Sequence, residues 1–142
     1  MTYLSRGKYI PPTKIDLKGV FETNEFLMGG AEVLDKMHPL MIYLLVELRN
    51  KTGIQMILNS TYRDSKKNKL VGGAANSWHL YGCAVDFRVK NGADRAKFIK
   101  EALLLGLSVG VMNHAIHIDI RAFNTPNLKF DEAKQILFHY YN

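Results

Sequence analysis

His79, Asp86 and His117 have the types and spacing to do chemistry together. Two imidazoles and one carboxylate are a donor set that holds a catalytic zinc ion through three protein ligands, with the fourth position kept for water or substrate. Gly82 lets the chain turn between His79 and Asp86, so that a loop histidine and a strand carboxylate converge, while His117 arrives from a neighbouring strand. By itself a His-x6-Asp pair also suits a hydrogen-bonded core or surface histidine, and the choice depends on the elements that position the three side chains.

Those elements are written mainly as alternation. From Cys83 to Val89, the residues Cys83, Val85, Phe87 and Val89 fall on one face of a strand, and Ala84, Asp86 and Arg88 on the other. Leu107 to Met112 and Ala115 to Arg121 read as two strands joined by a tight turn near Asn113. In the second, Ile116, Ile118 and Ile120 share the core face, and Ala115, His117, Asp119 and Arg121 the opposite one. Asp86 and His117 are thus expected on polar faces that look into a cleft. Cys83 falls with the core residues, away from Asp86, and reads as a core thiol.

The rest of the chain supplies the frame. Pro39 suits the first turn of a helix with Leu40, Leu44, Leu45 and Leu48 at helical spacing, stopped by Gly53. Ile54 to Leu58 reads as a buried strand leading into Asn59-Ser-Thr-Tyr-Arg63. Asp64 to Ala75 is polar, basic and glycine-containing, a loop with room for one helical turn. Asp94 is the expected N-cap of a helix through Phe98, Ile99, Ala102 and Leu103 that ends at Gly106. A last helix is expected from about Asp131 to Tyr141, burying Ala133, Ile136, Leu137 and Tyr140. Near the N-terminus, a short helix is expected from Thr23 to Met28, preceded by an extended arm over residues 1–20 that contains Pro11-Pro12. Residues 1–142 are expected to form a single domain, since this length can bury a core without staples.

Composition narrows the partners. With 47% apolar and 23% charged residues the chain has the balance of a globular protein, not of a disordered or fibrous one. Its net charge of +6 favours an anionic partner such as a bacterial wall, a nucleic acid or a membrane surface. No recognition helix or aromatic-basic stripe supports a specific nucleic-acid role, and no stretch is long and apolar enough to span a bilayer. The single Cys83 removes any internal disulfide and fits a reducing compartment. The N-terminal residues lack the apolar run of an export signal, which leads to the expectation of cytoplasmic synthesis. A monomer is expected.

Several further residues join the constellation in order: Ser60-Thr-Tyr-Arg63, Asn68, Val71-Gly-Gly-Ala74, Asn76-Ser77-x-His79-Leu-x-Gly82-x-Ala84-x-Asp86, and Ile116-His117-Ile-Asp119-Ile-Arg121. Over roughly Leu40 to Arg121 this strongly resembles peptidase family M15, the zinc D-alanyl-D-alanine carboxypeptidases and peptidoglycan endopeptidases. Its short members read Ser-Gly-Tyr-Arg, Gly-Gly-Ala, Ser-x-His-x-x-Gly-x-Ala-x-Asp and His-Val-Asp in the same order. The resemblance implies an α+β fold of the hedgehog/DD-peptidase kind, with a small antiparallel sheet flanked by helices and a zinc site in a cleft on the sheet. It implies one zinc ion held by His79, Asp86 and His117, and a peptidoglycan stem peptide as substrate, cut by a carboxypeptidase or endopeptidase. A zinc-stabilised module that binds cell wall or another ligand without turnover is the alternative. A wall peptidase without an export signal would suit a phage lysis protein that reaches the wall after release or is carried in the virion.

The resemblance also places Arg63 in the cleft. There a guanidinium can hold a terminal carboxylate or stabilise the oxyanion of the attacked carbonyl, acting in substrate binding and in catalysis. Tyr62 and Ser77 are the other expected substrate contacts, with turn capping the competing role for Ser77. Asp119 shares a face with His117, placed to orient a ligand imidazole or to receive a substrate amine. Pairing with Arg121 or Arg88 is its competing role. The chain departs from the family at two positions: Thr61 stands where Gly is usual, and His114 stands three residues before His117, where several branches carry Glu as general base. Histidine can do that work near neutral pH, and a hairpin-turn histidine facing solvent is the other reading of His114.

Overall fold

The computed structural model describes residues 4–5, 8–9, 36–54, 56–75, 77–89, 91–123 and 129–139. Near the N-terminus, Leu4–Ser5 (β1) and Lys8–Tyr9 (β2) pair antiparallel. The rest of the arm over residues 1–20 and the helix expected from Thr23 to Met28 lie outside the described residues.

Helix α1, Pro39–Thr52, starts and stops where local chemistry directs. His38 caps it through Nδ1, which accepts the Leu40 N–H at 3.1 Å. Pro39 sits where its missing N–H costs no helical bond, and Gly53 ends the helix at φ 62°. The strand expected at Ile54–Leu58 lies later, at Ile57–Ser60 (β3), because its ladder with the next strand begins at Ile57 opposite Arg88 and reaches Ser60 opposite Asp86. Ile54 and Met56 are buried ahead of it. The polar stretch that follows carries a six-residue helix, Ser65–Leu70 (α2), capped by Asp64 on the Lys67 N–H at 2.8 Å.

Strand β4, Ala84–Arg88, leads into helix α3, Gly92–Leu104. Asn91, not Asp94, is its N-cap. The Asn91 Oδ1 accepts the Asp94 N–H at 2.8 Å and its Nδ2 donates to Asp94 Oδ2 at 2.9 Å, which puts Asp94 inside the first turn. The expected hairpin is present as β5, Ser108–Val111, and β6, Ile116–Asp119, with Met112 N–H bonded to Ala115 O at 3.0 Å across the turn.

The C-terminal helix is replaced by a 3-10 turn at Glu132–Lys134 and a strand, Leu137–His139 (β7), parallel to β5. Helical spacing of Ala133, Ile136 and Leu137 is misleading here: Ala133 is exposed, and Ile136 and Leu137 are 39% and 57% exposed. The open edge of β5 offers unpaired backbone groups, and the segment satisfies them as a strand. Tyr140 lies outside the described residues.

The fold is therefore α+β, with a five-stranded sheet in the order β3-β4-β6-β5-β7 that is mixed, not purely antiparallel, because of β7. Val85, Phe87, Ile116 and Ile118 join α1 and α3 in the core, where the rings of Phe87 and Phe98 meet edge to face at 5.4 Å. On the opposite face one row crosses the sheet in register: Ser60, Asp86, His117, Gly110 and Phe138. No helix among the described residues is long and apolar enough to cross a membrane.

Candidate metal centre

Asp86 and His117 face each other across β4 and β6, an arrangement that follows directly from the register. His79 comes from a 3-10 turn, Trp78–Tyr81, that Ser77 caps by accepting the His79 N–H at 3.3 Å. The turn ends at Gly82 with φ 67°, and a Cβ there would collide with the backbone carbonyl of Lys36. Only glycine meets both conditions, so the turn that aims His79 depends on Gly82.

The potential donor atoms of His79, Asp86 and His117 lie within 4.8 Å of one another, and all three side chains are buried. Asp86 Oδ1 is 3.2 Å from His79 Nε2 and 2.9 Å from His117 Nδ1. Tetrahedral zinc with bonds of about 2.0–2.1 Å needs donors about 3.3 Å apart, which the two distances to Asp86 approach. The far side of each ring is also fixed. His79 Nδ1 is 2.7 Å from the Thr61 carbonyl oxygen, to which its N–H donates, and His117 Nε2 is 2.7 Å from Asp119 Oδ2. Those bonds leave His79 Nε2 and His117 Nδ1 facing the shared point, as metal ligation requires.

Burial works to raise the Asp86 pKa, but hydrogen bonds from His117 and His79, reinforced by their charge, hold its carboxyl well below the usual carboxylate range. Asp119 is lowered in the same way against its own burial, by His117 and then Arg121. Burial works to lower His117, and its bonds to Asp119 and Asp86 outweigh this and raise it. Two carboxylates thus favour positive charge at the ring between them.

Arg63 completes the cleft. Its Nη2 lies 3.3 Å from Asp86 Oδ2, Nε donates to Ser60 Oγ at 3.0 Å, and Nη1 reaches Asn68 Oδ1 at 3.4 Å. Asn68 is itself held by donation from Nδ2 to the Ala74 carbonyl at 2.8 Å. A Cβ on Gly73 would press on Asn68 and Arg63, so the Gly72-Gly73 loop can lie close against them. The cleft has a volume of ≈ 390 Å³, with Arg63, Ser77, Trp78, Met112 and Arg121 around the three donors.

Asp119 bonds His117 on one side and Arg121 on the other, Arg121 Nη2 lying 2.6 Å from Asp119 Oδ2. The Arg121 guanidinium lies 4.9 Å from the Phe138 ring centroid and 5.9 Å from that of Trp78. The Phe138 ring is 5.7 Å from that of His117, reached across Gly110, which adds no side chain to the row.

The structure brings His79, Asp86, His117, Arg63, Ser77 and Asp119 together. It does not bring His114 or Tyr62 to them. His114 is exposed in the β5–β6 turn and lines a separate pocket, because alternation stops where β6 begins. Tyr62 packs against the hydrophobic core and does not line the cleft. Cys83 is a buried core thiol, pushed up to about 11 by burial and then by the charge of Asp119.

Ser60 and Asn68, which hold Arg63, have no expected role from sequence, although both sit at short spacing from an arginine that needs acceptors. Phe138, beside His117 and Arg121, is likewise not among the expected site residues. A polar-face position in a C-terminal strand would have been the signal, had that strand been recognised.

A search among curated proteins finds no match. Residues 15–119 match the sequence model described as Peptidase M15. That span is most of the chain and includes all three donors, and the chain belongs to the peptidase M15 family.

Proposed function

We propose that the protein is a zinc-dependent hydrolase that cuts a peptide bond in the stem peptides of bacterial peptidoglycan. One observation carries the reading: two imidazoles with their outer nitrogens already bonded, and one carboxylate, converge in a cleft that also holds a guanidinium. Zinc bound by such a set supplies Lewis acidity toward a carbonyl and makes water a competent nucleophile near neutral pH.

The chain's own groups do the rest. Arg63, fixed by Ser60 and Asn68, is placed to hold a peptide carboxylate or to stabilise negative charge on the attacked carbonyl oxygen. Asp119 holds the His117 ring in the orientation that turns Nδ1 inward, and Thr61 does the same for His79 through its carbonyl. Ser77 lines the cleft while capping the turn that carries His79.

A specific observation favours a second reading, a zinc-stabilised module that binds wall fragments without turnover. Among the described residues, no carboxylate or imidazole lines the cleft besides the three donors. Mass spectrometry of purified peptidoglycan after incubation separates the two. New peptide termini should appear with zinc-loaded protein, vanish on chelation and vanish in His79→Ala. Retention on walls with no new termini would establish the second reading instead.

A further inference from the structure

A second pocket, of ≈ 420 Å³, is lined by Arg88, Val89, Arg95, Asn113 and His114. The β5–β6 hairpin links its lining in sequence to that of the metal cleft: Met112 lines the cleft, and Asn113 and His114, the next two residues, line the second pocket. Arg88 comes two residues after Asp86 on β4, so the two side chains leave the same face about 7 Å apart along the strand. Arg95 reaches over from α3, with Nη2 donating to the Met112 carbonyl at 2.7 Å, which anchors that guanidinium at the pocket wall.

Among the described residues, no acidic side chain lines this pocket and none pairs with Arg88. Two guanidiniums facing one open space repel each other unless an anion lies between them. Their planar forks suit the paired oxygens of a carboxylate or phosphate, and the amide of Asn113 and the ring of His114 can add further N–H donors.

We propose that this pocket is a second subsite, taking an oxyanion group of a polymer that extends past the metal cleft. Assigning that polymer to the bacterial wall rests on the peptidase reading, whereas the oxyanion site itself does not. Wall material can present the group in two ways, as carboxylates on peptides or as phosphodiesters on attached polymers.

The test is a titration of the zinc-loaded full chain with dimethyl phosphate and, separately, with glutarate, followed by the side-chain Nε–H signals of Arg88 and Arg95 in NMR spectra. Saturable shifts at both arginines are expected with at least one probe, and the tighter probe identifies the source of the oxyanion. Arg88→Gln should weaken that binding about tenfold. Asn113→Asp, an exposed turn substitution that adds a like charge, should weaken it as well and keeps the test decisive if Arg88→Gln fails to fold.

Shifts confined to Arg63, no shift with either probe, or unchanged affinity in the folded variants would overturn the subsite. Peptide release from walls, measured in parallel, keeps the two ideas apart. Binding at Arg88 without release removes the peptidase reading alone, and release without binding at Arg88 removes the subsite alone.

Discussion

His117 and Asp119, two residues apart on one face of β6, are joined by a 2.7 Å contact between Nε2 and Oδ2. The carboxylate fixes which nitrogen of the ring faces Asp86, and with a metal bound there it would strengthen that nitrogen as a donor. Asp119→Asn keeps the shape but removes the charge, and it is expected to lower zinc affinity by about 10–100-fold. Competition with a chromophoric chelator measures this. Affinity equal to that of the unsubstituted protein would mean that the contact does not tune the site.

Phe138 is the aromatic wall behind that pair, close to both Arg121 and His117. Removing the ring in Phe138→Ala takes away half-buried apolar contact and the face on which the guanidinium rests, and should cost about 1–2 kcal/mol of stability. Urea unfolding of the metal-free protein gives the value, and Phe138→Tyr should restore most of it. Because Asp119 stays in place, zinc affinity should fall by less than in Asp119→Asn. An equal or larger fall would transfer the orienting role from the carboxylate to the ring.

At Gly82, both conformation and space exclude a side chain, since φ is 67° and the position of a Cβ is taken by the backbone at Lys36 and Met37. The left-handed conformation alone costs an L residue about 1–2 kcal/mol, and the collision adds to it. Gly82→Ala should therefore destabilise the fold by roughly 3 kcal/mol and also loosen zinc binding, because the turn carrying His79 ends there. Gly53→Ala serves as the comparison: its φ is similar, but a Cβ meets nothing within 4 Å, so only the conformational part should be seen. Equal losses in the two variants would show that the backbone collision relaxes freely.

The central site was legible because β4 and β6 are half-buried strands, in which alternation assigns a face to every residue. Asp86 and His117 could be placed on the cleft side, and Cys83 in the core, from period two alone. His79 had no such signal: its aim comes from a 3-10 turn, a left-handed glycine and the distant Thr61 carbonyl. His114 stands just outside β6, where alternation no longer assigns a direction, and that is why its place away from the cleft could not be read. Strand β7 was illegible for a different reason. Three residues are too few to show a period, and their strand state is imposed by pairing with β5, far away in sequence. Phe138, and with it the wall behind Arg121, was hidden by the same cause.

His38 supplies a pH dependence of its own, away from the His79–Asp86–His117 cluster. Its Nδ1 caps α1 by accepting the Leu40 N–H, and burial holds the imidazole below its ordinary pKa. A lowered folded-state value means that the unfolded chain takes up the proton first as pH falls. The contribution is then full above the unfolded value of about 6.5 and is lost as pH drops toward the folded value. Asparagine is a good N-cap that does not titrate, so His38→Asn should remove this slope. Urea unfolding of both proteins at several pH values between about 7.5 and 5 isolates the effect, because contributions from His117 and the carboxylates cancel in the difference. The unsubstituted protein should lose stability relative to His38→Asn as the solution is acidified. A difference that stays constant across the series would show that the cap survives protonation, and that His38 acts on α1 through packing alone.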